Sequence, residues 1–170
     1  MIYAIGLCGA LGVSAFYHRG TFSVGVRRLM RRLDHSMIYV FIAGSYTPFG
    51  LVALGDGMGT QVLTGVWLGG LFGIGTKLFW LDAPDWVSAT LYVVVGSSMV
   101  LALPELIAAI GVWPVVVVAI GGAAYIVGAV VFATKRPDPW PAVFGYHEVF
   151  HALVIVGAIC HFATIAVYVL

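Results

Sequence analysis

From residue 112 to residue 134 the chain runs without one charged side chain, and residues 1–17, 57–76 and 86–104 do the same. Stretches of that length match the roughly 20 residues a helix needs to cross the hydrocarbon of a bilayer. The chain is 62% apolar and only 9% charged, against about 25% charged in an average soluble domain. Such a chain has too few polar groups to cover a water-facing surface, so lipid is its solvent. Its 170 residues, at roughly 20 per span, hold about six or seven helices with short loops. The whole chain, 1–170, is therefore expected to be one transmembrane helical bundle domain, with no room for a second, soluble domain.

Charge and Pro/Gly punctuation mark six apolar segments, at about residues 2–18, 33–54, 58–80, 86–103, 112–134 and 144–170. A transmembrane β-barrel needs strands of alternating polarity, and runs such as 115–120 and 127–133 do not alternate. The expected class is all-α, with six transmembrane helices. Residues 1–13 resemble a signal peptide in hydropathy but lack a basic start, so they are read as part of the first span.

The basic residues divide by side. With six spans, the loops after the first, third and fifth lie together, and they carry Arg19, Arg27, Arg28, Arg31, Arg32, Lys77, Lys135 and Arg136. Those are all eight lysines and arginines of the chain, whereas the opposite loops hold only Asp56 and Glu105. A bias this complete makes the basic side cytoplasmic. The four arginines between residues 27 and 32 thus read as a topology signal, and no tract suggests a nucleic-acid partner. The first residue then falls outside, which hints at an earlier span. Cys8 and Cys160 both sit in apolar runs and read as small packing residues rather than a disulfide.

The ionisable residues inside these spans are few and placed alike. His18 ends the first segment, Asp34 and His35 begin the second, and His147, Glu148 and His151 begin the last, all on the basic side. Intramembrane ionisable groups are costly and face the bundle interior or a water-filled cavity. His147 and His151 are four apart and share a helix face. A histidine at a span end often only reaches for the interface, and one i, i+4 pair arises by chance. Three helix ends converging at one depth make coincidence a poorer account, and set a metal held by His18, His147 and His151 beside the plain reading of separate interfacial histidines. Three imidazoles leave a fourth position of zinc open, as catalytic sites do. Imidazole and carboxylate also suit iron or nickel. Asp34 is placed to accept a proton there, and Ser14, one turn before His18, to orient a ligand or substrate.

The remaining polar residues read more plainly. Glu148 is expected to cap its helix, His161 to be a hydrogen-bonded core residue or to line the cavity, and His35 to meet a neighbouring loop or headgroup. Ser45-Tyr46-Thr47-Pro48 marks a kink. Trp67, Trp80, Trp86, Trp113 and Trp140 form an interfacial belt, and Gly65, Gly69, Gly73 and Gly121 allow close helix packing.

These residues carry a family resemblance. Ser14-Ala-Phe-Tyr-His18, Arg32-Leu-Asp34-His35-Ser36, Ala43-Gly-Ser-Tyr-Thr-Pro-Phe49 and Arg136-Pro-Asp-Pro-Trp-Pro141 resemble the hemolysin III family. So do Phe144-Gly-Tyr-His147-Glu-Val-Phe-His151 and Gly157-Ala-Ile-Cys-His161-Phe162. That family is related to the progestin and adiponectin receptors. The resemblance implies a seven-helix bundle in the cell membrane, with zinc near the cytoplasmic face on His18, His147 and His151 and with Asp34 contacting water at the ion. This chain shows six spans, the first looking like the family's second. Two functions follow as expectations. One is zinc-dependent hydrolysis of a lipid amide, ceramide-like, with Asp34 as base and Ser14 assisting. The other is a non-enzymatic role in membrane homeostasis, sensing or cytolysis with a structural zinc.

Overall fold

A computed structural model describes residues 1–170. The helices are α1 (Ile2–Arg19), α2 (Val24–Pro48), α3 (Thr60–Phe79), α4 (Asp85–Gly96), α5 (Leu103–Ile110), α6 (Val112–Thr134) and α7 (Tyr146–Thr164). There is no strand, and the protein is an all-α membrane protein. Five stretches are long and apolar enough to cross a bilayer: Val24–Ala53, Gly55–Phe79, Asp85–Ile110, Val112–Thr134 and Tyr146–Val169. The helix α1, of 18 residues, is outside that set because its last turn is Tyr17-His18-Arg19.

The surface is inside-out relative to a soluble protein. Leu68, Leu71 and Phe72 on α3, Ile120 and Val130 on α6, and Ile159 and Phe162 on α7 are all more than half exposed. Water would charge roughly 25 cal/mol for each Å² of that surface, and lipid charges nothing. Inside, Tyr3, Phe41, Tyr46, Phe49, Val66 and Leu106 belong to one continuous apolar cluster. Close approach is set by glycine at two places. A Cβ at Gly73 would enter the ring of the fully buried Tyr39, and one at Gly121 would strike His161 and Cys160. Gly65, by contrast, has open space beside it and plays no packing part.

Two features differ from the sequence expectation. The second helix begins at Val24, so Arg27, Arg28, Arg31 and Arg32 lie on a helical turn rather than in a loop. Nothing in the local sequence stops a helix there, and its arginines can reach the interface with their charged ends. The fourth segment extends to Ile110 but is broken, with a tight turn over Ser98–Ala102 between α4 and α5. Cys8 and Cys160 are free, as expected, but Cys8 faces outward rather than into the core.

A break within hydrocarbon strands backbone groups that must find partners inside the protein. Tyr46 supplies them here. Its hydroxyl donates to the Gly96 carbonyl at 2.5 Å and accepts the Met99 N–H at 3.1 Å. The widened turn of α2 at Phe49–Ala53 follows Pro48, which lacks the N–H to continue the ladder. Thr47 accepts from Trp67 Nε1 at 3.3 Å beside it, so Trp67 is a packing residue while Trp80, Trp86, Trp113 and Trp140 stay more than half exposed near helix ends.

The basic residues gather at one end of the bundle. Arg31 on α2 pairs with Asp82 at 3.0 Å, and Lys135 after α6 pairs with Asp85 at 3.2 Å. Exposed pairs of this kind add little stability, about 0–1 kcal/mol. They do place the early turns of α2 and the α6–α7 connection beside the α3–α4 connection. Lys77, 2% exposed, gives its ammonium to Ser88 Oγ and so joins α3 to α4 at the same end.

Removing the Tyr46 hydroxyl leaves the Gly96 carbonyl and the buried Met99 N–H unpaired. Tyr46→Phe is expected to cost about 1–3 kcal/mol, measured as a lower unfolding midpoint in detergent. An unchanged midpoint would mean that the Ser98–Ala102 break is held by something else.

Candidate metal centre

The up-and-down path of the chain brings the end of α1, the early turns of α2 and the start of α7 together. Helix α7 starts at Tyr146 because two carboxylates satisfy its first N–H groups. Asp138 Oδ1 accepts from Tyr146 N at 2.9 Å, and Glu148 Oε2 reaches back to Gly145 N at 2.9 Å. Glu148 is therefore a cap, as its position suggested, and it fixes the turn that carries His147.

From that turn His147 and His151 project toward α1. The His147 Nε2 atom lies 3.2 Å from His18 Nε2 and 3.1 Å from His151 Nε2. One nitrogen from each of the three histidines falls within 4.8 Å of the others. Hydrogen bonds cannot account for this arrangement. The Nε2 of His147 has either one proton or one lone pair, directed one way, so it can serve only one of its two neighbours. A cation at the shared point satisfies three lone pairs at once. Zinc–nitrogen bonds of about 2.0–2.1 Å in tetrahedral geometry set the nitrogens about 3.3–3.4 Å apart, close to the two separations His147 makes, while His18 and His151 lie within 4.8 Å and would draw closer on an ion. Three converging imidazole nitrogens are a donor set that zinc takes.

Asp34 is 9% exposed, on the neighbouring helix α2. Its Oδ2 lies 3.3 Å from His35 Nδ1, and the Ser14 hydroxyl faces the same carboxylate. The Nδ1 of His35 has no hydrogen-bond partner by direction, so the pair is an electrostatic contact rather than an aligned bond. The outward reading of His35 fails. It is half-buried and lines the cavity, with Phe132 edgewise to it and tilted against His147. A 100° step from Asp34 leads to a loop only when the helix lies at the bundle rim; here α4 and α6 cover that face too.

Ser14, Asp34, His35, His147 and His151 line one cavity of about 120 Å³, whose other walls are mostly apolar. His18 is not among the lining residues; it is exposed and completes the triad from the α1 side. A second chamber of about 240 Å³ adjoins the first, sharing Ser45, Tyr46, Gly96, Ser97 and His161 among its walls. His161 is buried and its Nε2 lies 3.2 Å from the Val118 carbonyl, so both readings of it from sequence hold together. Tyr92 was not singled out beforehand. It lines the cavity and donates to the His35 carbonyl at 3.2 Å, and its only sequence signal was a tyrosine inside an apolar span.

Comparison with known proteins bears on this geometry. The Haemolysin-III related family model matches residues 1–162. The chain belongs to that family. It is 31% identical to the "Hemolysin-3 homolog" of Bacillus subtilis (strain 168) over 140 residues, 82% of this chain and 63% of that protein. It is also 31% identical to "Hemolysin-3" of Bacillus cereus over 145 residues, 85% of this chain and 64% of that protein. The chain thus spans a little under two thirds of the length of these relatives. No solved structure matches it. The family match covers all three histidines, Ser14 and Asp34.

Because Glu148 caps the turn that carries His147, Glu148→Ala is expected to destabilise the protein by about 1 kcal/mol. Glu148→Gln, which keeps a carbonyl acceptor, is expected to lose less. Denaturant unfolding in detergent reads both, and equal losses would refute a capping role.

Proposed function

We propose that this haemolysin-III family protein is a zinc-dependent intramembrane hydrolase of a lipid amide, ceramide-like in having a long acyl chain on nitrogen. The observation that carries the reading is three histidine nitrogens meeting beside a buried carboxylate, at the mouth of an apolar cavity. In the orientation set by the basic residues this mouth lies near the cytoplasmic face. When bound by His18, His147 and His151, zinc supplies a Lewis acid for the amide carbonyl and lowers the pKa of water.

The chain's own residues supply the rest. Asp34 accepts the proton of the attacking water at a carboxylate oxygen, as the water oxygen forms its bond to the amide carbon. The C–N bond then breaks, and the same proton passes to the departing amine, leaving a fatty acid and an amine. Ser14 steadies the carboxylate or donates to the developing oxyanion. The apolar walls, Ile38, Phe41, Ile42 and Val154 among them, hold the acyl chain and keep bulk water away.

A second reading has its own support. The backbones of α1 and α7 approach each other only sparsely, and side chains bridge them: Tyr3 donates to the Ala158 carbonyl at 2.7 Å, and His18 meets His147. An ion there would staple the two helices whether or not any reaction followed, as a homeostatic, sensing or cytolytic role would require.

Asp34→Asn separates the two. It preserves shape and leaves all three imidazoles in place. Under the hydrolase reading it lowers the rate of N-acyl lipid cleavage by about 10²–10⁴-fold while the metal stays bound. If zinc-loaded wild type cleaves no lipid amide, the staple reading replaces it; if Asp34→Asn cleaves as fast as wild type, Asp34 is not the base.

A further inference from the structure

The deep chambers end on a polar atom that the hydrolase reading does not use. His161 is 7% exposed and lies ten residues beyond His151 on α7, roughly 15 Å further into the membrane. Its Nε2 faces the Val118 carbonyl at 3.2 Å. A carbonyl can only accept, so Nε2 carries the proton, and Nδ1 of the neutral ring is left as a bare acceptor. That Nδ1 is buried and has no partner.

An unpaired acceptor in hydrocarbon is costly because no water is at hand to satisfy it, and the ring is not free to turn away from its position. Gly121 lets α6 press against it so closely that a Cβ there would collide with the imidazole. Phe49 and Tyr125 pack edgewise on it from two other sides. The imidazole is wedged where both chambers meet, with Ser45 and Ser97 in the same walls. The Ser45 hydroxyl proton is spent on the Ile42 carbonyl at 2.7 Å, so it cannot supply the missing donor.

We infer that the junction of the two chambers is a hydroxyl-binding subsite, in which His161 Nδ1 accepts a hydrogen bond from an O–H group enclosed there. Ser45 Oγ and Ser97 Oγ offer further acceptors, and Ser97 a donor, to the same oxygen. The O–H comes either from an enclosed water or from a hydroxyl midway along a bound lipid chain. The subsite is independent of the metal centre and stands whether or not the protein is a hydrolase.

The test uses the full chain in lipid nanodiscs with two probes, methyl stearate and its analogue hydroxylated at mid-chain. Displacement of a fluorescent lipid gives their affinities, and nitrogen NMR of the histidine ring reports whether Nδ1 accepts a hydrogen bond. If a lipid hydroxyl fills the subsite, the hydroxylated ester binds about tenfold tighter, and His161→Phe removes the preference. If water fills it, the two esters bind alike and His161 Nδ1 shows an accepted hydrogen bond without either probe. Equal binding with an Nδ1 that accepts nothing overturns the inference, as does a preference that survives His161→Phe. Should His161→Phe fail to fold, Ser97→Ala takes its place, with a weakened preference or a shifted Nδ1 resonance expected and no change in either counting against the subsite.

Discussion

In hydrocarbon a polar group has no water to fall back on, so each one inside the bundle must be matched by another. The consequences run through this protein from the backbone outward. Where α4 breaks at Ser97, the hydroxyl of Tyr46 takes up both stranded backbone groups. Where Tyr3 reaches across from α1, it finds the Ala158 carbonyl on α7. Where three imidazoles converge, His147 Nε2 cannot hydrogen-bond both of its histidine neighbours at once. A soluble protein could leave such mismatches to solvent. A bundle of helices in lipid resolves them or uses them.

That demand also explains why the site lies at the basic end of the bundle. Helix ends are where backbone N–H groups are unpaired, so α7 opens on Asp138 and Glu148. The same turn then presents His147 and, one turn later, His151 toward α1. Deeper in the bundle most of the walls are apolar, interrupted by Ser45, Ser97 and His161 where the two chambers meet.

Much of this could be read from the residues alone, for physical reasons. Uncharged runs long enough to span a bilayer set the helices, and the one-sided lysines and arginines set how they alternate. The His147/His151 spacing placed two nitrogens on one face, and counting spans placed His18 beside them. Other features depend on packing that periodicity does not encode. His35 turned inward because α4 and α6 close over its face. The Ser98–Ala102 break has no proline at its start to announce it, and only the Tyr46 hydroxyl, from another helix, makes it tolerable. The wedge around His161 depends on Gly121, which sequence could mark as a close-packing glycine without saying what it packs against.

The central claim, that His18, His147 and His151 hold one metal ion, is tested most directly by elemental analysis. The protein purified in detergent is compared with a His147→Ala/His151→Ala double variant of matched fold. The account predicts about one zinc per chain in the wild type, as expected of a three-histidine site, and loss of that zinc in the variant. Zinc retained by the variant, or no metal in a folded wild type, would contradict it.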